Sequence, residues 1–278
     1  MITCHFSLPD LKRVLVNTVS VACLFYPVSS TTFLKLVNNP SPFDAITDSS
    51  APLKADLIFH PNGQASYGGF KRATVGDTSI PIFGHSMAST RTRVCIKQCW
   101  YKCKNTGERF VYDNHTQVVK LSSEINCLRW ASALMELVYD FISETHLVTA
   151  PFEIPAMRYV KSALAVAEND DHDTYMVEEV IDEAVDGKFV KYIGNSSAIP
   201  NEFEDESTAD RAAFLAFCQH VQYIKTQDMA FIGDFQGNVK GTSYCVSLSL
   251  IAVLSLFRWT VYTHRPSNYH VPVCIFIL

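Results

Sequence analysis

The spacing of apolar residues predicts a chain that mixes strands with helices. Alternation from Arg93 to Tyr101 predicts a strand with Val94, Ile96 and Trp100 on one face. Lys97 falls on the opposite face because successive strand residues point to opposite sides. Shorter segments are also predicted as strands, the first of them as a strand or a helix: Tyr159–Val166, Tyr175–Asp182, Lys188–Ile193 and Met229–Phe235. The second and third of these are expected to form a hairpin.

Two longer segments carry apolar residues at helical spacing. Leu121–Glu144 is the clearer one, and Ser122 or Ser123 can cap it. Glu124 then falls in the first turn, where the helix dipole favours an acid. The residues expected on its inward face are Ile125, Leu128, Met135, Val138 and Ile142. The second predicted helix, Asp210–Tyr223, is expected to turn Phe214, Phe217 and Val221 inward.

Glycine and polar clusters separate these segments. The run Tyr67-Gly68-Gly69-Phe70-Lys71-Arg72-Ala73 predicts a glycine turn that leads into a basic pair. Asn169-Asp170-Asp171 predicts a second turn, which lacks the glycine and the final glutamate of a calcium loop. Residues 1–55 show no clear period, so no element is predicted there.

Composition is that of an ordinary globular protein, with 278 residues, 48% of them hydrophobic and 18% charged. A net charge of −5 provides no basic field, so we expect no nucleic-acid partner. The nine cysteines include no C-x-x-C pair, which favours free thiols in a reducing compartment. We therefore expect a cytoplasmic protein; a metal site at the evenly spaced Cys95, Cys99 and Cys103 is the alternative reading of the cysteines.

Two apolar segments resemble membrane or targeting signals. Val14–Tyr26 follows Lys12 and Arg13 as a signal-peptide core would, but it contains polar residues and ends poorly for cleavage. Val246–Phe257 is shorter than the ~20 apolar residues that cross a bilayer comfortably. We expect no membrane association, and a small membrane-attached protein stays open as an alternative.

The segment Phe231-Ile232-Gly233-Asp234-Phe235-Gln236-Gly237 places an acid and an amide two residues apart. Residues two apart on an extended segment point to the same face, so Asp234 and Gln236 can enter one site. Upstream lie the glycine turn, the lysine of the Arg93–Tyr101 strand and a glutamate near a predicted helix start. Phosphoryl transfer needs parts of this kind: a close backbone approach to phosphates, a positioned lysine with an acidic partner, and a later acid with a metal ligand.

Five short segments together resemble the alpha-kinase family, the atypical protein kinases that include myosin heavy chain kinases, elongation-factor kinase and the channel-kinases. The resemblance runs from about Tyr67 to Gly237. Each segment is degenerate, and their order makes the signal specific. They are Gly68–Ala73, Val94–Lys97, Tyr175–Glu179, Gly187–Tyr192, and Ala216–His220 leading to Gly233–Gly237.

The resemblance implies an α+β, two-lobed kinase-like fold with an ATP cleft. It also implies transfer of the γ-phosphate from ATP to serine or threonine of a protein substrate. Lys97 matches the lysine that holds the ATP phosphates, and Glu124 looks like its helix partner. Glu178 falls on the hinge position beside the adenine. A solvent-facing lysine, a dipole-favoured acid and a solvated strand end are the corresponding structural alternatives.

The resemblance also assigns the acid and the amide of the later segment. Asp234 matches the acid that orients or deprotonates the acceptor hydroxyl, and Gln236 matches a magnesium ligand. ATP and Mg are therefore the expected cofactors. Gly69 belongs to the turn expected against the ATP phosphates, and Lys71 aligns with the family's phosphate-contacting arginine. Because a lysine lacks the arginine fork, that contact is expected to be weaker or shared with Arg72.

The chain departs from the family pattern near its end. His220 aligns with the first ligand of a structural zinc site, but His264, His270 and Cys274 lack the remaining spacing. Because tetrahedral zinc needs four ligands, we expect that site to be incomplete and Zn to be absent. Asn238 and the residues after it replace the family's Thr-Asp-Pro motif, whose acid binds a second magnesium.

These departures predict three parts: an unmatched N-terminal segment at 1–55, a truncated alpha-kinase-like domain at 56–237, and an unmatched apolar tail at 238–278. We expect an incomplete C-lobe, with the tail arising from a retained intron, a shifted frame or an alternative end. The leading hypothesis is a protein serine/threonine kinase. The alternative is a catalytically inactive kinase-like module that binds a nucleotide or a protein.

Overall fold

The computed structural model describes residues 18–39, 43–45, 51–60, 65–83, 92–144, 154–180, 187–194, 198–238 and 246–248. The chain divides into two compact units. The first comprises Met1–Ser29, Pro42–Asn126 and Val160–Lys188, and the second Ser30–Ser41, Cys127–Tyr159 and Phe189–Leu278. Helices and sheets both contribute, which confirms the α+β class. The two-lobed arrangement and the incomplete C-lobe stay predictions.

The first unit is built around a closed antiparallel sheet. Its strands are β1 (Val19–Pro27), β2 (Leu53–Phe59), β3 (Ser66–Tyr67), β4 (Lys71–Thr78), β5 (Thr92–Lys102), β6 (Arg109–Val111), β8 (Ser162–Ala167) and β9 (Thr174–Glu179). Six of them pair in the ring β4-β2-β1-β8-β9-β5, and pairing of β4 with β5 closes the ring into a barrel. The two short strands extend it, β3 beside β4 and β6 beside β5.

Alternation along the strands fills the barrel with apolar side chains, since every second residue points inward. The buried cluster inside it includes Cys23, Phe25, Leu57, Val94, Ile96, Ala163, Ala165, Tyr175 and Val177. Gly76 of β4 belongs to this inward face. A Cβ at Gly76 would lie 2.5 Å from the carbonyl oxygen of Ile58 and 2.6 Å from the Cδ1 atom of Ile96. Glycine is therefore required where β2 and β4 approach each other.

Residues 19–27 form a regular element in the N-terminal stretch, where the sequence showed no clear period and no element was predicted. They form β1, which pairs with β2 on one side and β8 on the other. Cys23 and Phe25 of β1 are fully buried in the barrel. Most of the signal-like core Val14–Tyr26 is therefore a barrel strand, and its first residues lie outside the described part of the chain.

The long helix begins seven residues earlier than predicted. Helix α2 runs from Asn114 to Glu144, after the short helix α1 (Phe33–Asn38). The Asp113 carboxylate accepts hydrogen bonds from the backbone N–H and the hydroxyl of Thr116, at 2.9 Å each. These bonds cap the helix and lower the Asp113 pKa. The prediction that Glu124 lies in the first turn is wrong, because this acid stands about three turns into the helix.

The second unit combines helices with two small sheets. Its elements are α1, the part of α2 from Cys127, β7 (Met157–Tyr159), β10 (Phe189–Ile193), α3 (Glu206–Lys225), β11 (Phe235–Asn238) and β12 (Val246–Leu248). Asp205 caps α3 by accepting a 2.8 Å hydrogen bond from the N–H of Thr208. Helices α2 and α3 meet through aromatic rings, with the Tyr139 and Phe214 ring centroids 6.2 Å apart. Of the residues predicted to face inward from α3, Phe214 and Val221 are buried and Phe217 is half-buried.

Strand pairing corrects the predicted hairpin. β9 pairs with β5 and β8, so both of its edges are occupied inside the barrel. β10 instead pairs with β11 in an antiparallel sheet of the second unit. β9 belongs to the first unit and β10 to the second, and the two strands do not pair with each other.

Little of the predicted apolar tail is described. β12 lies within it and pairs in parallel with β7. The rest of Val246–Phe257 lies outside the described residues. Among the described residues, none of the helices combines the length and apolar character needed to cross a membrane.

Candidate functional site

Lys97 and Glu178 form a buried ion pair in the first unit. Lys97 stands on β5 and Glu178 on the neighbouring strand β9, and they are 4% and 5% exposed. The Lys97 ammonium donates a hydrogen bond to Oε2 of Glu178. Both side chains lie on the outer face of the barrel sheet, because they occupy positions that alternate with the core residues Ile96 and Val177. A lysine and an acid predicted separately for ATP thus lie in direct contact.

Glu124 has a different partner from the one expected. Its Oε2 atom accepts a hydrogen bond from the ammonium of Lys71, and these two side chains are 20% and 15% exposed. The expected pairing of Lys97 with Glu124 is therefore wrong. Lys97 is bonded to a strand glutamate, and the helix glutamate holds the lysine that follows the glycine turn.

Gln117 fixes helix α2 to the lysine-bearing strand. Its fully buried amide accepts a 2.9 Å hydrogen bond from the N–H of Cys99 and donates a 2.7 Å bond to the Cys99 carbonyl. Cys99 lies two residues after Lys97 on β5, so this bond holds the strand near the ion pair. Nothing in the spacing of apolar residues marks Gln117, since its role depends on a bond to another element.

The glycine turn joins β3 to β4 as predicted, with the N–H of Gly68 bonded to the carbonyl of Lys71 at 2.9 Å. A Cβ at Gly69 would meet no described atom within 4 Å, so the space above this backbone is open. Lys71 and Arg72 follow the turn on opposite faces of β4. Arg72 bonds the Gln98 amide oxygen from its Nε atom at 3.1 Å, whereas Lys71 bonds Glu124. Sharing of one phosphate by the two residues does not fit this geometry.

Asp234 is the most deeply buried acid among the described residues of the second unit. It is 0% exposed, and the Nζ atom of Lys191 lies 3.2 Å from its Oδ1 atom. This ammonium is the partner that the described residues give to the carboxylate, and Oδ2 accepts no hydrogen bond from them. Burial raises the Asp234 pKa above its ordinary value, and the Lys191 ammonium partly offsets that rise. A fully buried carboxylate with only one recorded partner, a half-exposed lysine, is costly to keep and suits a chemical role.

Lys191 lies next to both polar residues of the segment Asp234-Phe235-Gln236. It lies on β10 opposite Gln236 of β11 in the strand register, and its ammonium reaches Asp234. Gln236 is 4% exposed. The sequence singled out Lys191 only as a member of the Gly187–Tyr192 segment. Its neighbour across the sheet, Gln236, lies 45 residues further along the chain, so local sequence patterns could not reveal the contact.

The predicted strand Met229–Phe235 is mostly irregular, and helix α3 holds it through side chains. The Ile232 N–H donates to Oε1 of Gln222 at 2.9 Å, and the Ile232 carbonyl accepts from Nε2 of Gln219 at 2.7 Å. Thr226 similarly bonds both backbone groups of Ala230, at 3.0 and 2.9 Å. We call Gln219, Gln222 and Thr226 the α3 clamp. It satisfies the backbone N–H and carbonyl groups of Ala230 and Ile232, which lie ahead of Asp234 and of β11.

The structure places the zinc-type histidine on the surface. His220 lies on α3 and is exposed. Across the described ranges, His, Cys, Asp and Glu residues form no group of three or more that could hold a metal ion. His264, His270 and Cys274 lie outside those ranges.

Comparison with known proteins identifies the family. The model of the alpha-kinase family matches residues 84–257, well over half of the chain. The chain therefore belongs to the alpha-kinase family, which suggests atypical protein kinase activity. The match covers Lys97, Glu124, Glu178, Asp234 and Gln236, and it extends beyond Gly237 into the segment predicted as a tail. No curated protein matches the chain.

Proposed function

We propose that this protein is an ATP-dependent serine/threonine kinase of the alpha-kinase type. The observation that carries the proposal is the fully buried Asp234 carboxylate, whose partner among the described residues is the Lys191 ammonium at 3.2 Å. Stability alone does not favour an ionisable group in this state. Burial of a carboxylate is instead typical of a group that accepts a proton or contacts a charged substrate during a reaction.

Lys97 is proposed to contact the α- and β-phosphates of ATP. Glu178 supports this role because it fixes the ammonium on the outer face of the barrel. The hinge role that the resemblance gave to Glu178, as acceptor for the adenine amine, competes with this bond for the same carboxylate. We propose that Glu178 acts mainly as the partner of Lys97, and that Lys71, held by Glu124, faces the phosphates from the turn at Gly69.

Asp234 is proposed to orient the acceptor hydroxyl and to take its proton during transfer. Its raised pKa makes the carboxylate a stronger base than an exposed aspartate, as this step needs, while the Lys191 ammonium favours its ionised form. The residues fit a magnesium ion, since Gln236 offers an amide oxygen and Oδ2 of the nearby Asp234 accepts no hydrogen bond from the described residues. Magnesium, when bound, supplies positive charge that neutralises the phosphates during transfer.

The test is transfer of labelled phosphate from magnesium-ATP to a threonine-bearing helical peptide. The purified chain is compared with Asp234→Ala and with Asp210→Ala, which removes an exposed acid of α3. The proposal expects transfer by the wild type and by Asp210→Ala and none by Asp234→Ala. Equal transfer by all three proteins would refute the assignment of Asp234.

One sequence observation favours a second candidate function. Asn238 and Val239 follow Gly237 where the family pattern has Thr-Asp-Pro, so a second acidic magnesium ligand is missing at that point. A kinase-like module that binds nucleotide without transferring phosphate would explain this. Saturable ATP binding by a folded wild-type chain that transfers no phosphate to peptide or to itself would select this alternative.

A further inference from the structure

A cleft opens at one end of the barrel, on the opposite face of the sheet from Lys97. Its volume is about 460 Å³, which is within the ~300–1,000 Å³ usual for small-molecule sites. Phe59, Arg72, Gln98 and Tyr175 line it from the inward-facing positions of four barrel strands. Barrel mouths are common ligand sites because side chains from several strands converge there. Nothing assigned to the kinase reaction uses this cleft.

Arg72 brings to the cleft a positive charge whose direct partner is a neutral side chain. Its guanidinium is half-buried and bonds the neutral amide oxygen of Gln98, which is 8% exposed. Within the described part of the chain, no carboxylate forms an ion pair with Arg72. A guanidinium has five N–H donors in a planar fork that matches a carboxylate. A half-buried arginine with a neutral partner is therefore a receptor for a bound anion.

The rim of the cleft has the opposite charge. Asp171 and Asp173 come from the turn between β8 and β9, and Asp113 comes from the start of α2. The Asn114 amide donates a hydrogen bond to the Asp171 carbonyl, which ties the two rim segments together. Asp113 is occupied by Thr116, and Asp173 accepts a 3.1 Å bond from Asn169. Because three carboxylates face one guanidinium, the cleft disfavours a multiply charged anionic ligand such as a phosphate ester. It favours a ligand that carries a positive group as well as an anionic one.

Aromatic rings form much of the wall. Phe59 and Tyr175 pack against each other with ring centroids 5.4 Å apart, and Tyr112 contributes a third ring. Burial raises the Tyr175 pKa to about 12, so its phenol stays neutral at physiological pH. Aromatic faces favour an apolar body and also attract an ammonium group.

We propose that this cleft binds a free L-α-amino acid with an apolar or aromatic side chain. The ligand carboxylate would pair with Arg72, and its ammonium would lie near Asp171 and Asp173. The rings of Phe59, Tyr112 and Tyr175 would contact the side chain. This site does not depend on the proposed kinase activity, because it lies on the inner face of the barrel sheet. Of its residues, only Arg72 was a candidate for the ATP phosphates, and its position on the opposite face of β4 from Lys71 does not fit that role.

Three probes with the same body separate the possible ligand classes: L-phenylalanine, its decarboxylated amine and its deaminated acid. Isothermal titration calorimetry of the full chain measures each Kd, after a thermal-shift screen of the standard L-amino acids chooses the best parent compound. We expect the amino acid to bind at least tenfold more tightly than either analogue, because each analogue leaves one set of charges unpaired. Equal or tighter binding of the acid or the amine would overturn the zwitterion assignment.

Variants test the residues. Arg72→Gln is expected to weaken binding by tenfold or more, as is the exposed rim change Asp171→Asn, which does not disturb the barrel interior. Arg109→Gln removes an arginine outside the cleft and is expected to leave the Kd unchanged. Circular dichroism and the unfolding temperature establish that each variant is folded. The proposal is overturned if no amino acid binds saturably at about 10 mM, or if Asp171→Asn and Arg72→Gln bind like the wild type.

Discussion

The ammonium of Lys191 lies 3.2 Å from the carboxylate of Asp234, which is fully buried at the start of β11. Burial raises the pKa of this carboxyl, and the ammonium opposes the rise. The effect of burial is the larger, so the Asp234 carboxylate is more basic than that of an exposed aspartate. The balance depends on Lys191, which is itself 43% exposed and so can be changed without opening the core.

Replacing Lys191 with methionine should therefore change the pH dependence of phosphate transfer. Loss of the positive charge raises the Asp234 pKa further, so the acidic limb of the kcat profile should move to higher pH. Lys191→Arg should keep the wild-type profile because it keeps the charge. The control is Lys188→Met, which removes an exposed lysine three residues away. An acidic limb that does not move in Lys191→Met would contradict the electrostatic link.

Asp234→Asn is expected to stabilise the fold at neutral pH. The folded-state pKa of Asp234 lies above its unfolded value, so the folded chain keeps this proton to higher pH. Stability from this group is present at low pH and is lost as pH rises through the interval between the two pKa values. Asparagine does not ionise, so the Asp234→Asn variant does not lose stability in this way as the pH rises. The unfolding temperature should rise by about a few degrees at pH 7, and the gain should shrink towards about pH 4. A lower unfolding temperature at pH 7 would show that the carboxylate stabilises the fold instead.

The pair formed by Lys97 and Glu178 should matter to folding as well as to ATP. Lys97→Met leaves a buried glutamate without its partner, which should cost about 3–5 kcal/mol in the free energy of unfolding. Adding Glu178→Leu should recover much of that loss, since a buried pair and an apolar replacement are often similar in stability. Denaturant unfolding of the two single variants and the double variant measures the coupling. Additive effects of the two changes would mean that the side chains do not interact.

The α3 clamp predicts that a buried amide affects catalysis without touching substrate. Gln222→Leu leaves the Ile232 N–H without an acceptor two residues before Asp234, which should cost about 1–3 kcal/mol of stability. It should also lower kcat more than it raises the KM for ATP, because the carboxylate is no longer held in place. Val221→Ala is the matched control: it removes buried volume from the same helix and leaves the clamp intact. Equal kcat in the two variants would make Gln222 merely structural.

Local pattern predicts the strands and helices whose two faces differ in polarity. β5 and β9 lie where their alternation placed them, and four of the five predicted inward residues of α2 are buried. β1 escaped prediction because it is nearly continuous in apolar residues, as a central barrel strand can be, and so resembles a targeting segment. The first turns of α2 escaped because Asn114 and His115 carry no apolar period; the Asp113 cap determines where the helix begins.

The partners of the site residues depend on pairing between distant segments. Sequence order suggested that Lys97 would meet the helix acid Glu124, but the barrel places β5 beside β9 and brings Glu178 to it. Lys191 acquires its role only when β10 pairs with β11. Residue type and local spacing therefore predicted which acids and lysines are candidate site residues. The register of the sheets determines which of them contact each other.

Single-turnover transfer of labelled γ-phosphate from magnesium-ATP, by the wild type and Asp234→Asn, tests the proposed chemistry most directly. The change removes one ionisable group and keeps its shape. We expect the rate of transfer to threonine to fall by a factor of about 10²–10⁴, while the Kd for ATP stays within a few-fold of the wild-type value. Transfer at an unchanged rate by a folded Asp234→Asn protein would contradict the assignment of Asp234 as the proton acceptor.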